Sequence, residues 1–272
     1  MDRRTLLKGM GATCVALAGG GVRAAGVAEA RDADPLAGVA VVDAHAHPDG
    51  FFGGRRTDRS STLQSIVALG MAASSFSAVG DRQGRERGLW QPKTMHAVRL
   101  QLDAVRDLAA AGKVRLIQRA AEIAVPSPGT PPGAILALEG AHPLGEDPDK
   151  VDTLHAQGVR TVTLMHYAMS DLGDCMTCRS CHKGLSPAGR KVVERMQRLG
   201  ILVDVAHADS KTMRQIVDVM DRPVIDSHTS LCPESDDSRC GRLRTWDDME
   251  HLAKKGGVIC TWPLAYTRPT AK

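Results

Sequence analysis

Six residues are the ones most able to do chemistry: His45, His47, Glu139, His166, His207 and His228. Imidazole nitrogens and carboxylate oxygens are ordinary ligands for Zn²⁺ and other borderline divalent cations. His45 and His47 stand two apart, so on a strand both side chains point to the same side and suit one metal. A lone histidine is more often a hydrogen-bonded structural residue. That reading weakens when such groups recur at the ends of successive apolar runs. Four histidines are too many for one catalytic zinc that keeps an open position. They suit two metals about 3.5–4 Å apart, bridged by one carboxylate.

These residues must be held by something, and the chain between them alternates strands and helices. Candidate strands lie at 38–44, 72–79, 134–138, 159–165, 201–205, 223–225 and 257–261. The first runs into His45 and His47, the third into Glu139, the fourth into His166, the fifth into His207 and the sixth into His228. Helical periodicity fills the gaps. One helix spans 94–111, with Leu100, Val105 and Leu108 on one face. Another opens at Ser186-Pro187 and runs through Gln197 to stop near Gly200. A third starts at Asp209 or Ser210 and turns Met213, Ile216, Val217 and Met220 inward, and the last spans 246–255. Such alternation argues for a parallel α/β architecture. In a parallel barrel the active site is built at the carboxyl ends of the strands, where these six residues fall.

Composition agrees. The 272 residues are 43% hydrophobic, 24% charged and 3% aromatic, which excludes collagen-like, low-complexity and wholly disordered classes. A chain this long can bury a real core, and a single (β/α)8 barrel of about 250 residues is allowed. The net charge of +4 is too weak to argue for nucleic acid or an anionic membrane as partner. Three tryptophans are too few and scattered for a stacking platform. Arg82, Arg85 and Arg87 read with Asp81 and Glu86 as a solvated charge cluster.

Residues 1–30 read as an export signal rather than as part of the fold. Asp2-Arg3-Arg4-Thr5-Leu6-Leu7-Lys8 resembles the twin-arginine pattern, a Gly/Ala-rich apolar stretch follows, and Ala28-Glu29-Ala30 is a cleavage candidate. The apolar run is too short to span a bilayer as a permanent helix. The expected location is periplasmic or secreted. That compartment is oxidising, so the cysteines after residue 30 can pair. In Cys175-Met-Thr-Cys178-Arg-Ser-Cys181 the spacing also suits a metal, but a second CxxC pair is lacking. Disulfides in the loops after strands four and six are the plainer reading, with free thiols the third alternative; Cys232, Cys240 and Cys260 are the only other cysteines after residue 30.

Several motifs together resemble the membrane (renal) dipeptidase family of the amidohydrolase superfamily. They are Asp43-Ala-His45, Ala137-Leu-Glu-Gly-Ala-His142, the run 158–166 ending in Leu-Met-His166, Gly184-Leu-Ser-Pro-Ala-Gly-Arg190, Leu202-Val-Asp-Val-Ala-His207 and Pro223-Val-Ile-Asp-Ser-His228. The likeness covers roughly 38–262, with order and spacing kept. It implies a zinc-dependent dipeptidase on a (β/α)8 TIM-like barrel, occupying residues 31–272. By position, His45 and His47 would bind one zinc, Glu139 would bridge, and His207 with His228 would bind the second. His166 would face the substrate carbonyl and stabilise its oxyanion, with Glu139 the other catalytic group. An arginine after the sixth strand, Arg239 or Arg242, would hold the substrate carboxylate. The partner expected is a small dipeptide substrate, and the oligomeric state is left open, with a homodimer as one candidate.

Two departures matter. The family usually shows His-x-Asp where this chain has His45-Ala46-His47, so the site is one negative charge poorer. The family also places an acidic residue after its eighth strand, whereas only seven strand candidates are found here. The expectation is therefore a barrel lacking its last β/α unit. Competing readings are a dipeptidase, another hydrolase of small amides or lactones, and a metal-binding chain without turnover.

Overall fold

The computed structural model describes residues 36, 38–47, 62–81, 85–86, 89–90, 94–232 and 241–262. Residues 1–30, Arg82, Arg87, Arg239 and Cys240 lie outside the described residues. Among the described residues, seven strands form the main path of one sheet: β1 (Val42–Ala46), β2 (Ala73–Val79), β3 (Gly133–Glu139), β4 (Val159–Thr163), β5 (Leu202–Asp204), β6 (Ile225–Thr229) and β7 (Val258–Thr261). Their spatial order is their chain order and every neighbouring pair is parallel. A two-residue strand, Arg115–Leu116, joins the start of β3. The sheet curls until the His45 ring of β1 stacks on the His228 ring of β6, centroids 4.0 Å apart. The result is a nearly closed parallel barrel of seven strands, the TIM-like class expected.

Among the described residues six helices accompany these strands: α1 (Thr62–Ala68), α2 (Met95–Ala110), α3 (Lys150–Ala156), α4 (Pro187–Leu199), α5 (Ser210–Val219) and α6 (Trp246–Lys254). Their starts follow capping chemistry, since orphan amides at a helix N-terminus need acceptors. Thr94 accepts from Ala97, Ser186 from Gly189, Asp209 from Thr212 and Thr245 from Asp248. Pro187 opens α4, and Gly200 ends it with φ 75°. None of these helices is long and apolar enough to cross a membrane.

The core is aliphatic, as 3% aromatic content requires. Leu102, Leu138, Leu154, Leu164, Met196, Met213 and Ile216 are fully buried around Phe76. One helical face differs from its expected assignment. The inward stripe of α2 is Val98, Leu102 and Val105, spaced four and three apart, while Leu100 is 56% exposed. Two strands are also displaced toward their carboxyl ends. β1 takes in His45, and β6 runs 225–229 rather than 223–225. Apolar content marks only the part of a strand inside the core, whereas the ladder continues under the polar residues that line the barrel mouth.

Candidate metal centre and active site

The strand ends deliver the six residues to one place. Glu139 is the last residue of β3 and is 1% exposed. Uninterrupted register from Ala73↔Gly133 to Val79↔Glu139 fixes its height against β2. Four imidazoles surround its carboxylate in two pairs. His45 Nε2 and His47 Nε2 are 3.0 Å apart and lie 3.4 and 3.3 Å from Oε1 and Oε2. His207 Nε2 and His228 Nε2 are 2.9 Å apart and lie 3.1 and 3.5 Å from Oε1. His166 Nε2 comes within 3.2 Å of Oε2. Glu139 Oε2 is buried yet makes no aligned hydrogen bond.

The donor set fits metal ions. The carbonyl of Ser77 can only accept, so His47 Nδ1 donates to it at 3.1 Å and a neutral His47 has a bare Nε2. Ser227 Oγ gives its hydrogen to Asp204 Oδ2 at 2.6 Å, so at 2.8 Å it accepts from His228 Nδ1. His228 Nε2 is then bare as well. Tetrahedral zinc with bonds of 2.0–2.1 Å separates two ligand nitrogens by about 3.3 Å. The observed pairs sit within a few tenths of an ångström of that edge. His45–His47–Glu139 and Glu139–His207–His228 are thus two ligand triangles sharing one carboxylate. Asp204 falls within reach of His45 and His228. Its two oxygens are already taken by the amides of Ala206 and Ser227 and the hydroxyls of Thr163 and Ser227.

Protonation states agree with this reading. Burial, the largest cause, pushes His45 down to about 4 and His207 to about 3, and drives His228 well below its ordinary value. Burial works to raise Glu139, but the surrounding imidazoles, His45 and His166 foremost, hold it well below the usual carboxylate range. Neutral imidazoles around an ionised carboxylate are what a divalent cation binds.

His207 is held differently from the others. It has φ 66°, the left-handed region that a side-chain-bearing residue adopts at a cost of about 1–3 kcal/mol. Its carbonyl accepts from Met176 N at 2.8 Å, and Cys175 bridges to Ala208 beside it. The loop carrying Cys175 is folded around Asp174, whose carboxylate accepts from the amides of Cys181, His182 and Gly184 and from Ser180 Oγ. Those bonds outweigh burial and keep Asp174 well below the usual carboxylate range.

Arg242 reaches this end of the barrel. Its Nη2 is 3.1 Å from His207 Nε2, its Nε is buried without a hydrogen-bond partner, and its guanidinium lies 5.8 and 5.3 Å from the ring centroids of Tyr167 and Trp262. The site therefore combines a metal-ready carboxylate, four imidazoles, a fifth imidazole facing inward and a cation at the rim.

The family model for membrane dipeptidase (peptidase family M19) matches residues 57–262. This chain belongs to the membrane dipeptidase family. Dipeptidase tcpJ of Claviceps purpurea is 40% identical over 98 residues, 36% of this chain and 23% of that protein. Dipeptidase 3 of Macaca fascicularis is 29% identical over 178 residues, 62% of this chain and 35% of that protein. The chain thus matches about a third or less of the length of these curated relatives. Among solved structures, the probable dipeptidase PvdM from Pseudomonas aeruginosa superposes with TM-score 0.68 at 21% identity, over 85% of this chain and 62% of that one. A metallo peptidase from Rhodobacter sphaeroides, liganded with a phosphinate mimic of the dipeptide L-Ala-D-Ala, gives TM-score 0.64 at 17% identity, over 82% and 74%. These two show a shared fold.

Within this membrane dipeptidase barrel, the expected site residues His45, His47, Glu139, His166, His207, His228 and Arg242 do come together. Arg239 lies outside the described residues. One assignment is corrected. Asp81 is not part of a solvated cluster: it is fully buried and its Oδ1 accepts from His166 Nδ1 at 2.6 Å. Charged neighbours in sequence disguise its burial, yet its position carries a signal. Asp81 follows β2 by two residues, the same strand-end position that marked the histidines. Ser77, Ser227 and Asp204 were also missed, because serines and a lone aspartate inside strand-like runs look like weak strand propensity. The cysteine cluster follows its plainer reading. Cys175 and Cys178 form a disulfide, Cys232 is disulfide-bonded, and Cys181 is an exposed thiol.

Proposed function

We propose that this chain is an exported zinc dipeptidase that hydrolyses the peptide bond of small dipeptides. The observation that carries the proposal is the convergence of two imidazole pairs on one buried carboxylate at the carboxyl end of a membrane dipeptidase barrel. Two zinc ions are the proposed cofactors, one held by His45, His47 and Glu139 and the other by Glu139, His207 and His228. When bound, zinc supplies Lewis acidity, lowering the pKa of a water and polarising a carbonyl.

The chain's own residues supply the rest. Glu139 stays ionised because imidazoles crowd it, so it offers both oxygens at once. His166 presents Nε2 toward the same carboxylate, where it would meet the substrate carbonyl and its developing oxyanion. Arg242, with an unused Nε, offers a planar guanidinium fork to the substrate's terminal carboxylate. Tyr167 and Trp262 flank that guanidinium. Hydrolysis of L-L and L-D dipeptides by the zinc-loaded chain tests the proposal. Zinc binding without turnover on any dipeptide would refute it.

One observation favours a second reading, a hydrolase of another small amide or lactone. His47 stands where the family usually has aspartate, and its Nε2 lies 3.0 Å from His45 Nε2. N-acyl amino acids and lactones in the same assay separate the two. Export by the twin-arginine route to the periplasm rests on Arg3-Arg4 and the cleavage candidate at 28–30. Changing both arginines to lysine should trap the chain in the cytoplasm, as cell fractionation reads directly. Periplasmic accumulation of that variant would refute the route.

A further inference from the structure

His166 is held from behind by a residue on another strand end, and the hold decides which nitrogen faces the site. Asp81 Oδ1 accepts from His166 Nδ1 at 2.6 Å, while Oδ2 accepts from the amides of Tyr167 and Ala168 at 2.9 and 3.0 Å. One carboxylate thus clips the exit of β2 to the exit of β4 at three points. Asp81 is fully buried and His166 is 1% exposed, so water does not compete for these bonds. An ionised carboxylate only accepts, which places a hydrogen on His166 Nδ1 and turns Nε2 toward Glu139.

The backbone has been fitted to permit this approach. Gly80 precedes Asp81, and its amide donates to the Glu139 carbonyl at 2.8 Å. A Cβ at residue 80 would stand 2.1 Å from the Gly140 carbonyl oxygen, so a side chain there would push the β2 exit off β3 and carry Asp81 away from His166. His142, whose Nε2 bonds to the Ala168 carbonyl at 3.0 Å, packs on the same exit loop.

We infer that Asp81 is a positioning residue for the hydrolysis: it fixes the orientation and tautomer of His166 so that Nε2 alone is presented to the substrate. It touches neither substrate nor metal and acts only through His166. The inference rests on the proposed function for its catalytic meaning, but its structural core can be read without turnover.

Asp81→Asn separates the parts. The amide keeps the size and can still accept from Tyr167 and Ala168, but its NH₂ donates to His166 Nδ1, so the ring hydrogen moves to Nε2. Nitrogen-15 NMR of histidine-labelled, zinc-loaded protein should show His166 Nδ1 protonated in the wild type and unprotonated in Asp81→Asn. Bound zinc should not change. On a dipeptide, kcat should fall by roughly 10²–10⁴ with KM within about threefold, by analogy with carboxylates that orient catalytic imidazoles. In a His166→Ala background the same substitution should cost less than about twofold, because the residue it positions is gone. The inference is overturned if wild-type Nδ1 is unprotonated, if Asp81→Asn loses zinc, or if its cost persists without His166. A zinc-loaded wild type with no turnover would defeat the proposed function alone, and the nitrogen spectrum would still decide the role of Asp81.

Discussion

The two imidazole pairs at the barrel mouth look alike and are built on different terms. His45 and His47 come from one stretch of chain, at and just beyond the end of β1, and one residue of β2 serves both: Ser77 Oγ lies 3.3 Å from His45 Nδ1 and its carbonyl accepts from His47 Nδ1. His207 and His228 come from two strand ends 21 residues apart. Asp204 steadies His228 through Ser227, while His207 has no partner for Nδ1 and is fixed through its backbone by the Cys175 loop. The first pair is preset by the pairing of β1 with β2, whose register shifts between Asp43 and Ala46, where His45 stands. The second depends on a loop that must itself fold. Local strand geometry is set by the β ladder and resists perturbation, whereas a loop's stability is a separate and smaller quantity.

Substitutions can test that contrast. The largest effect belongs to the residue both pairs share. Glu139→Gln should lower bound zinc below one equivalent and reduce dipeptide turnover by at least roughly 10³, as metal analysis and initial rates measure. A variant that keeps two zincs would show that the pairs are independent. His207→Ala should empty only the second half-site, leaving about one equivalent and no useful activity.

Next come the residues behind the ligands. Ser77→Ala should weaken one of the two proposed zinc sites by about 10–100-fold and spare the other, and Ser227→Ala should do the same to the opposite site. Competitive titration with a chromophoric chelator resolves the two steps. Equal loss at both sites in either variant would dissolve the comparison.

The Asp174 loop gives a smaller effect with a pH signature. Asp174→Asn weakens the bonds from Ser180, Cys181, His182 and Gly184, of which only the one from Gly184 is fully buried, and should cost about 2–4 kcal/mol of stability near neutral pH. Because the folded-state value of Asp174 lies below the ordinary 3.8, the wild-type advantage should be full above pH 3.8. It should shrink as pH falls below that value toward the depressed folded one. Thermal melts of both proteins across pH 3–7 would show the gap closing on the acid side; a gap that widens there would reverse the sign. The smallest shift is expected from reducing Cys175–Cys178, which closes a short loop worth up to about 2 kcal/mol, and it should be felt at the second zinc site before the first.

The barrel and its site were legible in unequal parts. All seven strands could be placed because apolar β-rich runs recur between amphipathic helices, and their polar terminal residues marked the mouth. Their extents could not, since β1 and β6 continue into the polar residues that line the barrel mouth. The inward face of α2 was misjudged at Leu100, because several apolar residues compete for one stripe and only packing selects Val98, Leu102 and Val105. The residues that set each imidazole's tautomer were hidden for a related reason. Ser77, Asp81 and Ser227 act through single hydrogen bonds across the sheet, and no periodicity in the chain records which residue sits opposite.

The central claim is that one carboxylate joins two half-sites, and a zinc-soaked crystal of the chain lacking residues 1–30 tests it most directly. The account predicts two anomalous peaks, one beside His45 and His47 and one beside His207 and His228, each about 2.0–2.2 Å from an oxygen of Glu139. A single peak, or zinc bound at less than one equivalent, would contradict it.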